Sequence, residues 1–214
     1  MNREDLKLYL VTDRGLLHKS HSLEEMVLEA VAGGVTMVQL REKNISTREF
    51  VELGMRLKSA LAGTGVPLIV NDRVDVALAI DADGVHIGQS DMPYEIARKL
   101  LGDNKIIGLS VESLEQLEQA NQLDVDYVGI SPVFSTPTKT DTAPAFGIEG
   151  LRKAVSLSEH PTVAIGGINM FTAPDVLSCG VDGIAVVSAI VASPEPRSAA
   201  CGLRQLLKMR PNEA

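Results

Sequence analysis

The sequence has no tryptophan, and only three tyrosines and four phenylalanines among 214 residues. This scarcity removes the aromatic platform on which single-stranded nucleic acids stack. Positive charge is in deficit as well. With a formal charge of -8 and an isoelectric point near 5.0, the chain has no basic excess to drive counterion release from a polyanion. Nucleic acid is not an expected partner, and any phosphate handled here belongs to a small molecule. No apolar run approaches the ~18 residues that a membrane-spanning helix requires, so a membrane is not expected either. The opening MNREDLKLYL carries acidic residues where a signal peptide needs a basic segment. Cys179 and Cys201 lack C-x-x-C or Cys/His ligand spacing, so they read as buried or idle thiols, not zinc ligands or a disulfide framework. A cytoplasmic protein in a reducing compartment is the expectation.

What is present suffices for one sizeable core: 45% of the residues are hydrophobic, and the length suits a single domain over residues 1–214. Short β-branched or apolar runs alternate with stretches of helical period. The spacing predicts strands at Lys7 to Thr12, Met37 to Arg41, Pro67 to Val70, Gly84 to Ile87, Lys105 to Leu109, Tyr127 to Ile130, Thr162 to Ile165 and Gly183 to Val187. Between them lie helical patterns such as SLEEMVLEAVAGG and ESLEQLEQANQL; in the second, Ser113 precedes a Glu/Gln-rich turn and Leu114, Leu117 and Leu123 form an apolar stripe. AGGVTMVQL, DADGVHIGQ, DVDYVGIS and CGVDGIAVV each put Gly or Asp just before a strand. Eight strand-helix units close into a (β/α)8 TIM barrel, whereas an open doubly wound sheet usually stops at five or six strands. The first strand begins a few residues into the sequence, leaving little room there for a leading helix across the barrel bottom.

In a barrel of this kind, chemistry occurs at the carboxyl ends of the strands, and polar residues collect there in this sequence. Alternation along VQLREK puts Gln39, Arg41 and Lys43 on one face and Val38 and Leu40 on the other. Two cations climbing the interior call for an anion or a structural acid. Asp72 and Asp91 follow consecutive strands, where each either caps the next helix or binds a cation. Together with Arg41, Lys43 and Lys139, the acids suit a magnesium diphosphate, because Mg²⁺ commonly takes one or two carboxylates plus phosphate oxygens and water. Asn71 adds a donor. Gly166 and Gly167 in AIGGI, with the turn near Ser188, favour a second phosphate site at the end of strands seven and eight. The loop SPVFSTPTKTDTAP either makes turns or gathers donors around an anion. His86 reads as a hydrogen-bonded core histidine more readily than as an acid or base.

VQLREK, VNDRVDVAL, DGVHIGQSD, YVGISPVFSTPTK and AIGGI, in this order and through nearly the whole chain, resemble the thiamine-phosphate synthase family. The resemblance implies a (β/α)8 barrel that joins 4-amino-5-hydroxymethyl-2-methylpyrimidine diphosphate to a thiazole phosphate, forming thiamine phosphate and diphosphate by dissociative alkyl transfer. It implies Asp72 and Asp91 as ligands of one Mg²⁺ per subunit. It gives the pyrimidine diphosphate to Gln39, Leu40, Arg41, Glu42, Lys43, Asn71, Ser110 and Lys139, with Arg41, Lys43, Ser110 and Lys139 catalytic. The thiazole phosphate goes to Thr136, Pro137, Thr138, Gly167, Val187 and Ser188. The implied partners are small phosphorylated substrates, and self-association into a homo-oligomer stays open. Two rivals stand beside this reading. A thiazole tautomerase-like relative tends to carry histidine where this chain has Ser131 and Pro132, and a noncatalytic phosphate sensor would keep only the monophosphate cup.

Overall fold

The computed structural model describes residues 1–135 and 144–208. Its eight strands are β1 (Leu8–Val11), β2 (Met37–Leu40), β3 (Leu68–Asn71), β4 (Gly84–Ile87), β5 (Ile106–Val111), β6 (Tyr127–Ile130), β7 (Thr162–Ile165) and β8 (Gly183–Val186). Each is parallel to its neighbours, and β8 pairs with β1 to close the barrel. The helices among the described residues are α1 (Leu23–Ala32), α2 (Thr47–Leu61), α3 (Val74–Ala79), α4 (Tyr94–Leu101), α5 (Leu114–Ala120), α6 (Gly147–Leu157), α7 (Ala173–Ser178), α8 (Ser188–Val191) and α9 (Pro196–Lys208).

Local signals explain where several of these begin. Ser22 and Ser46 each accept from a backbone N–H of the first turn, while Glu25 and Glu49 reach back to the cap's own N–H. These reciprocal bonds satisfy donors that a helix start leaves orphaned. Ser113 caps α5 by accepting from the Gln116 N–H, while the Gln116 side chain accepts from the Glu112 N–H, and Leu117 is the fully buried member of that helix's stripe.

The Gly/Asp pattern ahead of the strands also has a physical cause. Before β4, β6 and β8, the carboxylates of Asp83, Asp126 and Asp182 accept from the N–H groups of Leu68, Ile107 and Thr162 at 2.8, 2.9 and 2.8 Å. The N–H of each acid donates to the carbonyl of that same residue at 2.9 Å. Ahead of β2, Thr36 makes the equivalent pair of bonds with Leu8. All four odd-numbered strands are thereby pinned at their first or, in β5, second residue, where the ladder would otherwise leave groups unpaired.

Apolar side chains divide into two sets. The larger lies between sheet and helices, and includes Val38, Leu40, Val70, Val85, Val128 and Ile184. The smaller fills the barrel interior with Leu6, Tyr9, Val11, Met37, Ile69, Tyr127, Val163 and Ala185. Leu6 sits on a 3-10 turn, Arg3–Leu6, and is wholly buried. That single turn, capped by Asn2, puts a side chain into the bottom of the barrel.

Candidate active site

β2 ends at Leu40, and the Arg41 N–H donates to the Thr12 hydroxyl at 3.1 Å. The next side chains then splay apart. Arg41 and Lys43 face a cavity of about 450 Å³ at the carboxyl ends of the strands. Leu40 and Glu42 do not line it. Leu40 is buried beneath the helices, and Glu42 accepts two bonds from Arg14 at 2.6 and 3.1 Å. That ion pair raises the Arg14 pKa, the bond to Glu42 being the largest cause. Arg41 has a weaker partner, Asp13, at 3.9 Å.

Opposite these cations stand Asp72 and Asp91, both on the cavity wall. Asp72 follows β3 with φ of 62°, and its N–H donates to the His86 carbonyl at 2.8 Å. This left-handed state is one that Asp and Asn adopt more readily than most residues. Lys43 Nζ lies 2.5 Å from Asp72 Oδ2. Asp91 accepts from the Gly88 N–H at 2.7 Å. Burial, its largest influence, raises the Asp91 pKa; the Gly88 N–H opposes this, and neighbouring Asp72 adds to the rise. The two carboxylates therefore repel one another, and among the described residues the Lys43 ammonium offsets them. Next to them, Asn71 is buried and its Nδ2 has no hydrogen-bond partner among the described residues. A buried amide left unpaired on a cavity wall is a donor awaiting a ligand.

The far side of the cavity is built by β7 and β8. Gly166 and Gly167 have φ of 108° and 69°. A Cβ at Gly166 would fall 2.9 Å from Pro132 Cα, and one at Gly167 would fall 2.9 Å from Phe134 Cβ. Glycine is thus required at both positions, and it brings bare backbone to the cavity beside Val187 and Ser188. Thr136, Pro137, Thr138 and Lys139 lie outside the described residues.

The cavity floor contains residues that sequence reasoning passed over. Gln39 Nε2 donates to Tyr9 Oη at 2.8 Å, and Tyr9 Oη lies 2.9 Å from Tyr127 Oη. Tyr127 Oη is 2.9 Å from His86 Nδ1, and His86 Nε2 is 2.8 Å from Ser110 Oγ. His86 is accordingly buried and hydrogen-bonded through both ring nitrogens. Burial, the dominant cause, pushes both tyrosine hydroxyls well above their ordinary pKa, so both stay protonated. The available signal was that two of the chain's three tyrosines occupy strands at inward-facing positions.

The site is thus divided: paired acids and cations on one flank, bare glycine backbone on the other, and a polar, hydrogen-bonded floor between them. The thiamine monophosphate synthase family model matches residues 8–190. The thiamine-phosphate synthase of Vibrio parahaemolyticus is 54% identical over 201 residues, covering 94% of this chain and 98% of that protein. That of Albidiferax ferrireducens is 53% identical over 202 residues, covering 94% and 92%. The solved thiamine phosphate pyrophosphorylase of Pyrococcus furiosus superposes with a TM-score of 0.87 at 46% identity, covering 96% of this chain and 97% of that one. With the closed barrel and nearly full-length similarity in agreement, the chain belongs to the thiamine monophosphate synthase family, as a transferase enzyme of thiamine biosynthesis.

Proposed function

We propose that the chain condenses 4-amino-5-hydroxymethyl-2-methylpyrimidine diphosphate with a thiazole phosphate, either 4-methyl-5-(2-phosphoethyl)thiazole or its carboxylated form. The products are thiamine phosphate and diphosphate. One observation carries this reading: a single cavity holds Arg41, Lys43, Asp72 and Asp91 on one side and Gly167, Val187 and Ser188 on the other. Such a site has room for two differently charged phosphorylated partners held face to face.

In the reaction, the bond between the pyrimidine methylene carbon and the diphosphate oxygen breaks, and its electron pair leaves with diphosphate. The thiazole nitrogen then gives its lone pair to that carbon, and the positive charge ends on the thiazolium ring. No proton has to move, which fits a floor whose tyrosines stay neutral. Arg41 and Lys43 stabilise the negative charge that grows on the leaving group, together with Lys139, which follows β6 in the sequence. Asn71 Nδ2 donates to the pyrimidine diphosphate, and Gln39 and Ser110 orient it. The threonines at 136 and 138, with Pro137, Gly167, Val187 and Ser188, hold the thiazole phosphate in line for attack. Asp72 and Asp91 fit one Mg²⁺: both present hard oxygen donors, and their mutual repulsion is relieved by a divalent cation better than by one ammonium. When bound, the ion neutralises charge on the departing diphosphate. We place this activity in the cytoplasm, where Cys179 and Cys201 remain free thiols.

The deciding experiment mixes purified protein with each substrate alone, both together, and both plus a chelator. Diphosphate release should require both substrates and Mg²⁺. Isomerisation of a thiazole phosphate alone would identify a tautomerase, and binding without turnover would identify a sensor.

A further inference from the structure

Five side chains from five strands form one unbroken hydrogen-bonded chain across the barrel: Gln39, Tyr9, Tyr127, His86 and Ser110. All five border the cavity as its floor, and the tyrosines in the middle are close-packed, with Tyr9 1% and Tyr127 0% exposed. The barrel makes room for it at specific points. A Cβ on Gly108 would fall 2.1 Å from Tyr127 Cζ, and one on Gly129 would fall 3.1 Å from His86 Cε1. Small residues on β5 and β6 therefore leave space for the two rings.

Proton counting gives the chain a direction. Gln39 donates to Tyr9, whose own O–H then has one acceptor among the described residues, Tyr127 Oη. Tyr127 already accepts from Tyr9, so its proton goes to His86 Nδ1. A neutral imidazole that accepts at Nδ1 carries its proton on Nε2 and donates it to Ser110 Oγ. The Ser110 hydroxyl proton is then left to point into the cavity. In the opposite direction, Ser110 would spend that proton on His86 and turn a lone pair toward the ligand, which an anion would repel.

We propose that Tyr9 and Tyr127 are positioning residues that, through the tautomer of His86, hold the Ser110 hydroxyl as a donor toward the anionic substrate. This rests on the reading of the cavity as the diphosphate site. Each tyrosine hydroxyl is engaged by its neighbours in the chain and acts on Ser110 through the intervening partners. The role differs from packing, because a phenylalanine fills the same space yet interrupts the proton order.

The test uses full-length protein labelled with ¹⁵N-histidine, with His86→Asn identifying the resonances of His86. Wild-type His86 should show a protonated Nε2 and an unprotonated Nδ1, and Tyr127→Phe should abolish that preference. In the two-substrate assay, Tyr127→Phe should lower kcat by about tenfold, the scale of one lost hydrogen bond, leaving KM for the thiazole phosphate unchanged. Tyr9→Phe, one link further away, should have a smaller effect. In a Ser110→Ala background, neither substitution should reduce kcat further. A wild-type His86 protonated on Nδ1, an unaltered tautomer in Tyr127→Phe, or losses that multiply in the Ser110→Ala background would each overturn the proposal. A wild-type protein without turnover would instead overturn the functional reading, and the tautomer measurement would still decide the relay.

Discussion

Replacing Gly108 by alanine adds one methyl group at the most crowded point of the barrel interior. The new carbon would lie 2.1, 2.4 and 2.5 Å from Cζ, Oη and Cε1 of Tyr127, where ordinary contacts need at least about 3.4 Å. More than an ångström of movement is required, and the strands of a closed ladder cannot supply it alone. The ring has little freedom either: it meets Tyr9 edge-on at 5.9 Å and packs 5.5 Å from His86. Displacing it also breaks hydroxyl contacts of 2.9 Å on both sides. Overpacking typically costs about 1 to 3 kcal/mol, and leaving a buried hydroxyl unpaired adds about 1 to 3 kcal/mol. A total of roughly 2 to 6 kcal/mol is expected, lowering the melting temperature by about 10 °C for a domain of this size. Differential scanning calorimetry measures the shift, and the two-substrate assay should show activity falling with it. Adding Tyr127→Leu should restore most of the stability, because the shorter side chain vacates the clash, but not the activity. A Gly108→Ala protein that melts within a degree of wild type, or whose double variant gains nothing, would refute this account of the interior.

Two further outcomes follow from the two ends of the barrel. In Asp91→Asn, removing a charge that repels Asp72 should leave the metal-free protein at least as stable as wild type, while added MgCl₂ should no longer raise its melting temperature. Diphosphate release should drop by about two orders of magnitude or more, and a Mg²⁺-induced thermal shift equal to that of wild type would exclude Asp91 as a ligand. At the opposite end, Asp126→Ala removes both the bond to the Ile107 N–H and the ion pair with Arg98 at 2.9 Å. Urea unfolding should report a loss of about 1 to 3 kcal/mol with unchanged kcat; altered kcat with unchanged stability would contradict that division of labour.

The barrel was legible because its signals are local and repeated. The observed β4, β6 and β7 coincide with the expected Gly84 to Ile87, Tyr127 to Ile130 and Thr162 to Ile165. The misses are at strand ends, where pairing decides. β5 runs on through Ser110 and Val111 because these pair with Gly129 and Ile130 of β6. β3 includes Asn71 because it pairs with His86. β2 stops short of Arg41, whose N–H turns to Thr12. Alternation correctly separated Gln39, Arg41 and Lys43 from Leu40, whereas the family pattern took 39 to 43 as a block. The side chains of Leu40 and Glu42 turn elsewhere, one into the outer core and one to Arg14. The tyrosine chain was invisible for a different reason. Its members are separated by up to 118 positions, as between Tyr9 and Tyr127, and no window of sequence holds both.

The rarity of aromatics has a practical consequence. With no tryptophan to dominate its ultraviolet emission, the protein fluoresces through tyrosines at positions 9, 94 and 127 alone, and two of these form the cavity floor. Substrate arrival that perturbs those rings will alter the native emission or near-ultraviolet dichroism, with no dye attached. Occupancy then becomes an optical signal that can be followed in a stopped-flow instrument from the first milliseconds of mixing.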